Sequence, residues 1–216
     1  MKISKEKIQY IFIYIALTIL VLVISFLAFF FVSDHMKWQG YKNDENKRVF
    51  YERIIDLKAK LKTEKSYENY LDLGNAYYTL EEYYLAEKAY REAIGIVHRD
   101  SLAYGNLGDA YREQGKYEKA ENSYLEVLDF KPKETKIYID LHDLYKIDWE
   151  GKKYDSVSIL LKGIEIMPNE TDLINKLAVY YRDSGNIKKA IEYFEKSLEI
   201  NSENELVINE LNRLKK

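Results

Sequence analysis

The sequence predicts an all-α protein: one N-terminal transmembrane helix, then a superhelical solenoid of about four helical hairpins closed by a capping helix. Three observations predict it. An uncharged apolar run of 23 residues lies near the start, a leucine-centred pattern recurs at intervals of 34, 34 and 36 residues, and only 2 prolines and 9 glycines interrupt 216 residues rich in helix formers. The chain divides into a basic N-terminus (1–9), a transmembrane helix (10–32), a juxtamembrane tether (33–46), an amphipathic helix (47–64), a repeat array (67–202) and a C-terminal capping helix (203–216).

Between Tyr10 and Val32, 17 of the 23 residues are Ile, Leu, Val or Phe. A helix of that length spans roughly 34 Å, enough to cross a hydrocarbon core of about 30 Å. Its insertion is favourable by on the order of 5–10 kcal/mol. Tyr10, Tyr14 and Trp38 mark the two ends, where amphipathic rings prefer the headgroup layer. The competing reading is a cleaved signal peptide. That reading wants a shorter run and a small-x-small site, whereas this run ends in Phe29, Phe30, Phe31 and Val32. A retained single-pass anchor in the cell membrane is expected. Lys2, Lys5 and Lys7 crowd one side, and Lys37, Lys42, Lys47 and Arg48 are spread along the other. The compact basic head favours a cytoplasmic N-terminus, which puts the soluble domain on the extracytoplasmic side.

Residues 33–46 are polar, contain Gly40 and read as a tether. Phe50, Ile54, Leu57 and Leu61 then form an amphipathic stripe. It reads as a cap on the first repeat, with a short coiled coil pairing two chains as the alternative.

The repeat is explicit. Tyr70-x-x-Leu73-Gly74-x-x-Tyr77 returns as Tyr104-x-x-Leu107-Gly108-x-x-Tyr111, as Tyr138-x-x-Leu141-His142-x-x-Tyr145 and as Ile174-x-x-Leu177-Ala178-x-x-Tyr181. Second motifs follow at Ala86-x-x-x-Tyr90, Ala120-x-x-x-Tyr124, Val157-x-x-x-Leu161 and Ala190-x-x-x-Phe194, with three residues inserted in the third unit around Ile147 to Lys153. The units are 67–100, 101–134, 135–170 and 171–202, with Gly115, Gly151 and Gly185 expected at the bends. Small residues at Gly74, Gly108 and Ala178 let the helices approach while rings fill the space between them. His142 breaks that rule, so looser packing is expected in unit three. After the array, Ser202-x-x-Glu205 reads as a capping box ahead of Val207, Leu211 and Leu214.

These motifs resemble the tetratricopeptide repeat (TPR), with Tyr in place of its Trp in three units and with Pro132 and Pro168 ending units two and three. The resemblance implies a TPR solenoid that binds a peptide or helix of a partner protein in a concave groove lined by the first helices. Mapped onto this chain, it assigns the groove to Asn75, Tyr78, Thr79, Asn106, Asp109, Arg112, Lys136, Asp143, Asn175 and Arg182. The carboxylate clamp of some relatives fits at Asn75, Asn106 and Lys136 but fails at Leu71 and Asp140, where its other cations belong. The expected role is a membrane-tethered scaffold or adaptor. The alternatives are a self-associating structural membrane protein and a non-catalytic accessory subunit of an envelope enzyme complex.

Composition closes several other routes. There is no cysteine, and the three histidines, His35, His98 and His142, share no ligand spacing, so neither a metal site nor thiol chemistry is expected. Catalysis and cofactors are not implied. Beyond Lys7 the chain holds 30 basic against 35 acidic residues, a balance that disfavours nucleic acid. The bilayer, through residues 10–32, and a protein ligand are the expected partners, and a homo-oligomer is the alternative.

Overall fold

The computed structural model describes residues 5–152 and 155–216. It comprises two compact units, Met1–Asp56 and Leu57–Lys216.

In the first unit, α1 (Lys5–Asn43) exposes its apolar side chains from Phe12 to Phe29. Its Phe12–Asn43 stretch is long and apolar enough to cross a membrane, a test that an N-terminal signal sequence also meets. The helix does not stop at Val32. The expected tether is helical as far as Asn43, because no proline interrupts it and a lone Gly40 costs only about 1 kcal/mol. The break is a single residue. The Asp44 carboxylate accepts the backbone N–H groups of Asn46 (2.9 Å) and Lys47 (3.3 Å), and so caps α2 (Glu45–Lys60). On α2, Ile54 and Leu57 of the predicted stripe are buried.

In the second unit, the hairpins are α3–α4 (Tyr67–Thr79, Tyr83–Ile96), α5–α6 (Ser101–Glu113, Tyr117–Phe130), α7–α8 (Thr135–Asp143, Asp155–Ile166) and α9–α10 (Thr171–Asp183, Ile187–Ile200). Ser66, Asp100 and Asn186 cap α3, α5 and α10 by accepting the N–H groups of Asn69, Ala103 and Lys189. Three hairpins turn in the same way. The second residue after the first helix is left-handed (Glu81 φ 63°, Gly115 φ 70°, Gly185 φ 79°), and the next N–H reaches back to the motif tyrosine's carbonyl (Tyr77, Tyr111, Tyr181) at 2.8–2.9 Å.

The third hairpin turns differently and corrects three expectations. Its first helix widens into a π turn at Leu144–Asp148, closed by the Trp149 N–H on the Leu144 carbonyl (2.8 Å), and a 3-10 turn follows at Glu150–Lys152. Gly151 sits in that 3-10 turn and supplies no left-handed bend. The second-helix motif is also one residue out of phase with the reading above. Ser156, Leu160 and Gly163 occupy the buried positions of Ala86, Tyr90 and Ala93, whereas Leu161 is exposed. The insertion is therefore two residues long and the unit spans 36. Nor is the packing loose: Leu141, Leu144 and Leu160 are fully buried, and His142 is 1 % exposed. Its ring fits because Ser156 stands opposite in place of an alanine, and His142 Nδ1–H donates to the Ser156 carbonyl at 2.7 Å.

The last helix, α11 (Glu205–Leu214), lays Val207 and Leu211 on Ala178, Ala190 and Phe194. Its cap is Asn204, which accepts the Val207 N–H at 3.3 Å, and not the predicted Ser202.

Candidate functional site

In the first two hairpins the second helix shapes the face of the first through polar pairs fifteen residues apart. The Tyr90 hydroxyl donates to Asn75 Oδ1 (2.9 Å), and the Tyr124 hydroxyl donates to Asp109 Oδ1 (2.6 Å). In the fourth hairpin the same two positions are Val179 and Phe194, and the pair is apolar. Both tyrosine hydroxyls have pKa values raised, first by burial and then by the nearby Asp109 carboxylate. They stay neutral and act as donors.

Five predicted groove residues, Asn75, Tyr78, Thr79, Asn106 and Asp109, converge with Tyr90 on one pocket of about 250 Å³ between the first two hairpins. Asn75 Oδ1 also accepts from Asn106 Nδ2 at 3.0 Å, so a buried tyrosine and a neighbouring hairpin both orient one amide. Tyr78 packs edge-on against Tyr83, at 5.3 Å between centroids. Its hydroxyl is pushed up to about 12 by burial and by the Asp109 and Glu113 carboxylates. Asn106 continues into a second pocket of about 260 Å³ that Leu102, Gly105, Lys136 and Ile137 help to line.

Four of the five remaining predicted residues are engaged in ion pairs. Lys136 bridges Asp140 (2.6 Å) and Asp109 (3.4 Å), so the one cation a carboxylate clamp would borrow is already engaged. Burial raises the Asp140 pKa, with the Asp109 charge adding to it and Lys136 opposing. Arg112 pairs with Asp148, Asp143 with Lys176 (2.8 Å) and Arg182 with Glu210 (2.7 Å). Asn175 is half-buried, and its Oδ1 has no hydrogen-bond partner. Nine of the ten residues thus separate into a polar pocket at the first seam, with Asp109 as its one charged wall, and ion pairs beyond it, and Asn175 belongs to neither.

Sequence reasoning left Tyr90 and Asp140 off the site. Tyr90 was legible as a core ring but not as a pocket wall. The signal was its hydroxyl, because a Tyr where the motif also takes Phe needs a polar partner fifteen residues earlier. Among the described residues, no three His, Asp or Glu side chains are grouped to hold a metal ion.

Comparison with known proteins accords with this geometry. Family models described as "Tetratricopeptide repeat" match residues 66–133 and 171–204. The array is a TPR-like solenoid. A crystal structure of MamA superposes with a TM-score of 0.58 at 21 % identity, over 75 % of this chain and 94 % of that one. MamA from Desulfovibrio magneticus gives 0.57 at 18 %, over 78 % and 97 %. A thermophilic TPR protein of Thermus thermophilus gives 0.54 at 14 %, over 74 % and 88 %. At such identities the likeness shows the fold alone. No curated protein matches the chain in sequence.

Proposed function

We propose that this chain is a membrane-tethered protein-interaction module: α1 holds it in the bilayer, and the face of its first helices binds a peptide or helix of a partner protein. The observation that carries this reading is the polar pocket at the first seam, where two amides stand beside the Asp109 carboxylate. Asn75 Nδ2 and Asn106 Oδ1 take part in none of the site's internal hydrogen bonds, which leaves a donor and an acceptor for a peptide backbone. Tyr78 adds rigid ring area beside them. Tethering raises the partner's effective concentration near the membrane, so modest groove affinity suffices. The module works by holding its partner and not by chemistry of its own.

A photo-crosslinking residue at Thr79, in the full-length chain in its native membrane, tests the groove. A discrete crosslinked partner, lost in Asn75→Leu/Tyr78→Ala, is expected. Equal capture from exposed Lys162, or capture indifferent to those substitutions, counts against it. We place the array outside the cytoplasm. A cysteine at Asn201 then reacts with impermeant maleimide on intact cells, and labelling only after lysis refutes that side.

A further inference from the structure

We infer that the corner between α1 and α2 is a binding surface for the anionic headgroup layer of a membrane. This rests on the reading of α1 as a bilayer anchor, and adds to it a second point of attachment with its own chemistry.

The geometry begins with the continuous helix. Trp38 lies six residues past Val32, which at 1.5 Å per residue is about 9 Å along α1. A headgroup layer extends about 5–8 Å beyond the hydrocarbon, so a tilted helix leaves Trp38 at its outer part. Trp38 is not alone there. The Tyr41 ring stands edge-on to it at 5.3 Å, and the Tyr51 ring of α2 lies 5.8 Å away. Thirteen residues of straight helix would separate Trp38 from Tyr51 by roughly 20 Å, so the chain bends sharply between them. Asp44, the one residue outside the two helices, is where it does so. The bend gathers three amphipathic rings, the residue types that favour the membrane–water interface.

Two further observations point to lipid. Met36 and Val49, on either side of the corner, expose 68 % and 62 % of their surface. Between residues 37 and 48 stand four cations, Lys37, Lys42, Lys47 and Arg48, against two acids, of which Asp44 is the cap, while Arg48 also lies 3.9 Å from Glu52 of α2. Lys47 Nζ lies 5.3 Å from the Tyr41 ring centroid, which holds an ammonium beside the aromatic cluster. Rings, exposed apolar groups and an excess of basic residues, all close to a membrane exit, are complementary to phosphate-bearing lipids.

The chain contains two tryptophans, and Trp149→Phe leaves Trp38 as the sole reporter. That variant of the full chain is reconstituted into phosphatidylcholine vesicles, with and without phosphatidylglycerol, made from lipids brominated close to or far from the headgroup. Flotation first establishes incorporation. The expected result is stronger quenching of Trp38 by shallow bromines than by deep ones, with an increment on adding phosphatidylglycerol. Lys37→Gln/Lys42→Gln/Lys47→Gln/Arg48→Gln loses that increment while still floating. A protein that floats but whose Trp38 is quenched by aqueous iodide and by no brominated lipid overturns the inference and leaves the anchor standing. Protection from both quenchers also overturns it, because a protein surface then covers the corner. Failure to float defeats the anchor itself.

Discussion

The Lys116 ammonium lies 2.8 Å from the Glu87 carboxylate, across the seam between the first and second hairpins. Glu87 is only 6 % exposed and also accepts from Gln114 at 3.2 Å. Burial alone would raise its pKa, but the bonds from Lys116 and Gln114 outweigh this and hold it below the ordinary value. The Lys116 ammonium also sits 5.6 Å from the Tyr111 ring centroid. The next seam repeats the arrangement, with Lys152 at 3.1 Å from Glu121 and 5.6 Å from the Tyr145 ring. At the third seam the corresponding positions are Val157 and Asn186, and the motif is missing.

Lys116→Met removes the nearest cation from a buried carboxylate, which keeps Gln114 and, at 3.8 Å, Arg91, and is expected to cost about 1–3 kcal/mol. Glu87→Gln/Lys116→Met recovers part of that loss. Urea unfolding of the two single variants and the double variant measures the coupling. Strict additivity would mean that the two groups do not act as a pair.

Gly74 is packed under Tyr90, and a Cβ built on it would lie within the van der Waals envelope of that ring. Gly74→Ala is therefore expected to destabilise the array by about 1–3 kcal/mol through overpacking. Gly105→Ala is the control. Its added carbon would stand 3.6 Å from Ile137, an ordinary contact, so the removal of a mid-helix glycine should raise the thermal midpoint slightly and not lower it.

Glu81 occupies a left-handed turn position that the equivalent hairpins give to Gly115 and Gly185. Relief of that conformation exceeds the entropy that a glycine adds to the unfolded chain. Glu81→Gly should raise stability by about 0.5–1 kcal/mol, seen as a higher midpoint in urea. A lower midpoint would show that the Glu81 side chain supports the turn.

His142 links acidity to stability. Burial leads the fall of its pKa below 6.5, with Lys176 and Lys146 adding to it and the Ser156 carbonyl and Asp143 opposing. Its Nε2 has no hydrogen-bond partner, as suits a neutral ring. The unfolded chain takes up a proton as pH falls through about 6.5, where the folded chain resists it. The contribution is therefore complete above that value and shrinks below it, by at most about 1.4 kcal/mol per pH unit. His142→Phe should flatten the stability profile between about pH 7.5 and 5.5. An unchanged slope would assign the effect to other groups.

The hairpins were legible because the repeat writes its packing twice, once as Leu-Gly-x-x-Tyr and again as small-x-x-x-aromatic. The third unit hid its phase because Val157-x-x-x-Leu161 looks more apolar than Ser156-x-x-x-Leu160. The observed phase is the one that buries the small-x-x-x-large-x-x-small set Ser156, Leu160 and Gly163, with His142 bonded to the Ser156 carbonyl. Asp44 was equally hidden: one capping carboxylate divides two helices where composition suggested a flexible stretch. The groove residues were found by register. Which of them are neutralised depended on partners roughly thirty residues away, such as Asp148 for Arg112 and Lys176 for Asp143.

The Glu–Lys seam also sets a grammar for losing or duplicating hairpins. The pairs fifteen residues apart travel inside one hairpin, but each seam glutamate, Glu87 or Glu121, is answered by the hairpin that follows. Deleting 101–134 would bring Lys152 to Glu87, ammonium for ammonium. Deleting 135–170 would instead confront Glu121 with Asn186, an amide that cannot neutralise it. The second hairpin is thus expendable in a way that the third is not, and Asn186→Lys is the change that would make the shorter chain whole.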